Sequence, residues 1–244
     1  MSENITIDEE PAPVCAPIED EASEKRRRWF ELALVLLISL GGAFLRSLYL
    51  LNYGRAALPQ SQNGRWLTSV FQETTCLLLL GYVLSRRKLR IADLGLRWSF
   101  GGLGMGLLIA FASYLAYVPG YYLVHSFHYV LFHSDSGGLT ASEVFAHPTI
   151  MAIPFTLLNP FFEELIVRAY LMTEVKALTG SWMLAAAMST VLQFSYHLYY
   201  GWEQALALSF QFLVFSIYYA RTRRATPIVV AHEVFDILGL IRLW

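Results

Sequence analysis

The chain has 244 residues, of which 56% are hydrophobic with glycine left out of the count and only 15% are charged, whereas an average soluble domain is about 45–50% apolar with glycine included and about 25% charged. That surplus excludes a single water-soluble core, and a net charge of −1 excludes a nucleic-acid binder driven by basic charge. Two cysteines, Cys15 and Cys76, exclude a disulfide framework.

Residues 1–28 read as a disordered acidic cytoplasmic tail ending in a basic cluster. Glu3, Asp8, Glu9, Glu10, Glu19, Asp20, Glu21 and Glu24 come first, and Lys25, Arg26, Arg27 and Arg28 follow. Residues 29–99 then supply N-terminal membrane helices and a basic loop, and residues 100–244 a membrane core. About seven spans are predicted, with six to eight as the range, because a bilayer helix needs about 20 apolar residues. They fall near 29–53, 66–85, 100–133, 147–176, 181–200, 203–220 and 226–243. In lipid each segment satisfies its own backbone, so the fold class is all-α, a polytopic transmembrane helical bundle. Pro119-Gly120 and Asn159-Pro160 predict kinks or breaks in the third and fourth spans.

Basic residues set the orientation. With the N-terminus inside, the inner side receives Lys25 to Arg28, Arg86, Arg87, Lys88, Arg90, Arg97, Lys176, Arg221, Arg223 and Arg224, and the outer side only Arg55, Arg65 and Arg242. The chain is therefore expected to be a multi-pass membrane protein with a cytoplasmic N-terminus and an outside C-terminus. Trp66, Trp98, Trp202 and Trp244 sit near span ends, where an aromatic belt would lie.

Ionisable groups within spans are costly, so each is a functional candidate. They cluster in three places. In Glu163-Glu164-Leu165-Ile166-Val167-Arg168, Glu164 and Arg168 share a helix face and can pair. Glu163 is turned about 100° away, free of that partner, which suits a general base. A structural ion pair with a spare carboxylate is the other reading. His197 follows Gln193-Phe194-Ser195-Tyr196, and alone it reads as well as an interfacial residue. His232 and Asp236 again share a face, and the pair can fix a tautomer or bind water or metal. The zinc-protease pattern of two histidines is missing there. Together the three supply what water activation needs: one group to take a proton and others to steady developing charge.

In this order and spacing, Glu163-Glu164-x-x-x-Arg168, His197 and His232-x-x-x-Asp236 resemble the CPBP intramembrane proteases. These are the CAAX prenyl proteases and bacteriocin-processing enzymes, also called the Abi family. The likeness covers roughly residues 100–240, and Asp93-Leu94-Gly95-Leu96-Arg97 resembles the basic loop often upstream of that core. The resemblance implies a CPBP-type core and an intramembrane endopeptidase that hydrolyses a peptide bond of a membrane-associated protein or peptide. A lipid-modified substrate is one option. It implies Glu163 and His197 as the water-activating pair, His232 and Asp236 as the groups holding the carbonyl and its oxyanion, and Glu164 and Arg168 as support. A divalent metal, zinc, held by Glu163, His197, His232 and Asp236 is one option, and a metal-free glutamate protease is the other.

Two departures stand out. Gln193 occupies the position four before the histidine where the family usually has Phe, and Asp236 stands where Asn is commoner. There is also a depth mismatch. His232 lies about 9 Å from the inner end of its span, whereas His197 lies near the outer end of its own, a separation of about 10 Å or more. A Tyr199-Tyr200-Gly201-Trp202 hairpin dipping into the membrane would reconcile them. The rival functions are a non-catalytic scaffold or bacteriocin-immunity-type protein regulating a partner, with Gln193 a sign of site decay, and a small transporter relaying protons through Glu73, Glu163 and Asp236. Of the remaining features, His125, His128 and His133 read as interfacial, and Glu73 as a structural tie to Arg46. Gly102-x-x-x-Gly106, broadened by Gly101 and Gly104, reads as a packing surface within the chain.

Overall fold

The computed structural model describes residues 20–53, 62–133 and 150–241. The expectations for residues 1–19, Arg55, residues 147–149, Arg242 and Trp244 lie outside these. Among the described residues the chain forms seven helices and two short 3-10 turns. The helices are α1 (Glu21–Tyr53), α2 (Gln62–Arg86), α3 (Phe100–Phe132), α4 (residues 152–179), α5 (Trp182–Tyr196), α6 (Trp202–Thr222) and α7 (Thr226–Ile241). The turns are Ile91–Leu94 and Leu198–Tyr200. Side-chain caps start two of the helices: Ser99 accepts from Gly102 N at 3.0 Å and Ser181 from Leu184 N at 3.1 Å. This is the all-α bundle expected from the sequence. One boundary differs: α1 starts at Glu21, so residues 21–28, read as the end of the tail, are helical.

α1, α2 and α3 contain segments long and apolar enough to cross a membrane. They turn large apolar side chains outward, Phe71, Leu107, Phe111 and Phe127 among them. α4 to α7 instead bury polar residues against one another, including Glu164, Arg168, Gln193, Gln211 and His232. α4 lies at the centre, against α2, α5 and α7, and α3 packs on α6 and α7.

Neither proline breaks its helix. α3 runs through Pro119 to Phe132. α4 runs through Pro160, but its register changes next: Ala152–Glu163 is α-helical, Glu164–Tyr170 is π-helical, and Leu171–Thr179 is α-helical again. Such a π segment widens the turn, and these segments recur at functional sites. All seven residues of Glu164–Tyr170 are buried.

Two ties fix the end of the bundle that carries the basic residues. Glu174 on α4 receives Arg28 at 3.0 Å and Arg87 at 2.7 Å, which joins α1, α2 and α4. The 91–97 loop clasps the turn before α7. Ala225 N donates to Gly95 O at 3.0 Å, Thr226 Oγ1 accepts from Arg97 N and donates to Arg97 O, each at 2.8 Å, and Tyr219 Oη donates to Leu94 O at 3.0 Å. Gly95 has φ +89°, and a Cβ there would fall 2.0 Å from Arg223 O, so only glycine fits. On α3, a Cβ on Gly106 would meet Val230 at 2.6 Å, so the small-residue surface packs on α7 within the chain. Gly101 and Gly104 have nothing within 4 Å and do not extend it.

Candidate active site

Glu163 ends the first α-helical part of α4, and Glu164 opens the π segment. Their environments divide as the local spacing predicts. Glu164 pairs with Arg168 at 3.3 Å, both fully buried, and also accepts from His232 Nδ1 at 2.8 Å. Glu163 Oε2 accepts instead from Gln193 Nε2 at 2.5 Å and from Tyr196 Oη at 2.9 Å. The link to His232 was not legible in the sequence, since it crosses 68 residues of chain.

Gln193, the departure that the rival scaffold reading takes as a sign of decay, braces the two carboxylate positions of α4. It is fully buried, its oxygen accepts from Arg168, and its amide nitrogen donates to Glu163. One side chain thereby ties α5 to both the cation and the free carboxylate of α4, which a phenyl ring cannot do. Arg168 lies over the Phe212 ring at 5.0 Å and near Phe215 at 6.0 Å, a cation–π contact in a desolvated setting.

His197 caps the end of α5. Its Nδ1 meets the Gln193 carbonyl at 2.9 Å, and because a carbonyl only accepts, that bond leaves Nε2 as the lone-pair nitrogen of the neutral ring. Its ring packs on Tyr196 at 4.7 Å and on Phe212 at 5.1 Å, and it interacts electrostatically with Glu163 and His232. The His232 ring also lies 6.3 Å from Phe212. On α7, His232 Nε2 lies 3.7 Å from Asp236 Oδ1, while Asn159 Nδ2 on α4 donates to Asp236 Oδ2 at 3.2 Å. Asn159 and Tyr196 are site residues that sequence reasoning missed. The helical spacing Asn159–Glu163, i to i+4, and the adjacency of Tyr196 to His197 were the available signals.

The depth mismatch disappears through the stagger of the helices along one another. Tyr219 Oη, which carries the clasp below α7, also donates to Ala169 O at 3.2 Å and lies 3.1 Å from Thr173 Oγ1. α7 therefore starts near the level of Thr173. α5 starts after Gly180, seven residues or about 10 Å further along α4. The 198–200 turn is tied to α1, with Tyr199 N donating to Ser47 Oγ at 2.7 Å.

Other expectations change. His128 is buried with its Nδ1 against Glu203 on α6, and His125 approaches Glu203 at 3.7 Å. Trp66 is buried against Phe155 at 4.8 Å instead of lying in a belt. Among the described residues, no ion pair joins Glu73 to Arg46, and no group of three or more His, Cys, Asp or Glu is placed to hold a metal ion. In both histidines Nδ1 is taken, by Glu164 in His232 and by a backbone carbonyl in His197, which leaves Nε2 of each ring as the nitrogen that could hold a metal or a water.

No curated protein and no solved structure matches the chain. Residues 145–238, which hold Glu163, Gln193, His197, His232 and Asp236, match the family described as Type II CAAX prenyl endopeptidase Rce1-like. The match covers less than half of the chain, and over this segment the chain is similar to that family.

Proposed function

We propose that the chain is an intramembrane endopeptidase that hydrolyses a peptide bond of a membrane-associated protein or peptide by activated water. Glu163 is the base. It takes a proton from water as the oxygen attacks the scissile carbonyl carbon, and returns it to the leaving nitrogen as the C–N bond breaks. His197 positions that water through its lone-pair nitrogen. His232 and Asp236 steady the tetrahedral intermediate, and the positive guanidinium of Arg168 opposes the charge that develops on oxygen. In this reading the N-terminus is cytoplasmic and the C-terminus lies outside.

The observation that carries the reading is the division of labour between two adjacent carboxylates. Glu164 is spent on Arg168 and His232, while Glu163 is held only by the neutral donors Gln193 and Tyr196. The test is Glu163→Ala in purified protein with a membrane-anchored peptide that the wild-type chain cleaves. Cleavage is expected to vanish while thermal unfolding is retained. Cleavage at the wild-type rate overturns the reading in favour of a regulatory scaffold, and proton-coupled flux in vesicles without cleavage would point to a transporter.

A further inference from the structure

α2 lies outside the matched segment, yet it brings a carboxyl group to the level of Glu163. α2 and α4 run parallel. Trp66 packs on Phe155 at 4.8 Å near one end, and Arg87 meets Glu174 at 2.7 Å near the other. Glu73 is seven residues past Trp66, about 10 Å along its helix, and Glu163 is eight past Phe155, about 12 Å along. The two acids thus share a depth. Glu73 is 6% exposed, and its Oε2 is buried with no hydrogen-bond partner. It interacts electrostatically with Glu163, Asp236 and His232.

A buried polar atom without a partner is rare and calls for a physical explanation. Three neutral donors of the site are already committed, Gln193 Nε2 and Tyr196 Oη to Glu163 and Asn159 Nδ2 to Asp236, and Arg168 turns its bonded nitrogen to Glu164 and Gln193. An extended peptide drawn to this depth has the complementary problem. Its main-chain N–H groups lose water and need acceptors supplied by the protein. We propose that Glu73 is a substrate-positioning residue of this site, its free carboxyl oxygen accepting a hydrogen bond from a main-chain N–H of the bound peptide. The proposal rests on the peptidase reading above and adds a contact from a helix that the family match does not include.

The experiment compares Glu73→Met and Glu73→Gln with wild type, using the same membrane-anchored peptide, with KM and kcat measured separately and thermal unfolding followed in detergent. Met keeps the bulk and removes the acceptor. KM should rise by about tenfold or more with kcat within a few-fold, since a binding contact is lost. The melting temperature should hold or rise, because an unpartnered buried carboxyl is gone. Gln keeps an acceptor and should recover KM to within a few-fold. A wild-type KM in Glu73→Met overturns the proposal. So does a fall in melting temperature with a parallel loss of kcat, which would mark a structural tie, and so does equal impairment of the Gln and Met variants. Glu163→Ala separates the two levels: an inactive Glu163→Ala beside a wild-type Glu73→Met removes only the Glu73 assignment, whereas an active Glu163→Ala removes the site.

Discussion

α3 and α4 both carry a proline in mid-helix within an apolar stretch, and they put it to different use. α3 continues through Pro119 unchanged and presents its large apolar side chains outward, Phe100 being 94% exposed. α4 continues through Pro160 and then widens into a π segment whose residues are all buried, two of them charged. The difference shows where chemistry can reside in a bundle of this kind. A helix that faces lipid over much of its surface can only be apolar there. A helix enclosed by α2, α5 and α7 can hold charges, provided each is paired from a neighbouring element.

That contrast can be broken most severely at Glu163. Glu163→Ala should lower kcat by about 10²–10⁴-fold, the usual contribution of a general base, with the fold retained. Arg168→Leu comes next, and acts on stability. It strands the fully buried Glu164, and breaking such a pair costs about 3–5 kcal/mol, read as a large drop in unfolding temperature or loss of folded protein from the membrane fraction. Gly95→Ala lies away from both helices but sets where α7 begins. Its left-handed backbone alone costs about 1–3 kcal/mol for a non-glycine residue, and the clash with Arg223 O displaces the start of the helix that carries His232. Both melting temperature and cleavage should therefore fall. On α3, Gly120→Ala puts a Cβ 2.5 Å from the Phe210 ring and should cost about 1–3 kcal/mol of overpacking without changing kcat. Gly104→Ala, with open space around it, should leave unfolding within about 0.5 kcal/mol of wild type. Equal costs at Gly120 and Gly104 would show that α3 does not pack as described.

The pairings within one helix were legible in the sequence. Glu164–Arg168 and His232–Asp236 follow from the 3.6-residue period, and the separation of Glu163 from Arg168 follows from the same geometry. The role of Gln193 was not legible because it lies in reaching two residues of another helix, which no local pattern encodes. The tie expected between Glu73 and Arg46 failed for a similar reason. Both acid and base sit in apolar helices, but α2 turns Glu73 toward α4, while Arg46 on α1 is exposed.

By itself the sequence determined that the chain is helical and belongs in a membrane, because the free energy of burying apolar surface and the need to satisfy every backbone group are properties of each segment alone. Which polar groups meet was decided only in three dimensions. The 91–97 loop clasps the turn before α7 and raises that helix along α4, and this stagger brings His232 to Glu164 and places it, like His197, against Phe212. Contacts between helices depend on such offsets along their axes, and an offset is a property of the packed bundle, not of any one helix.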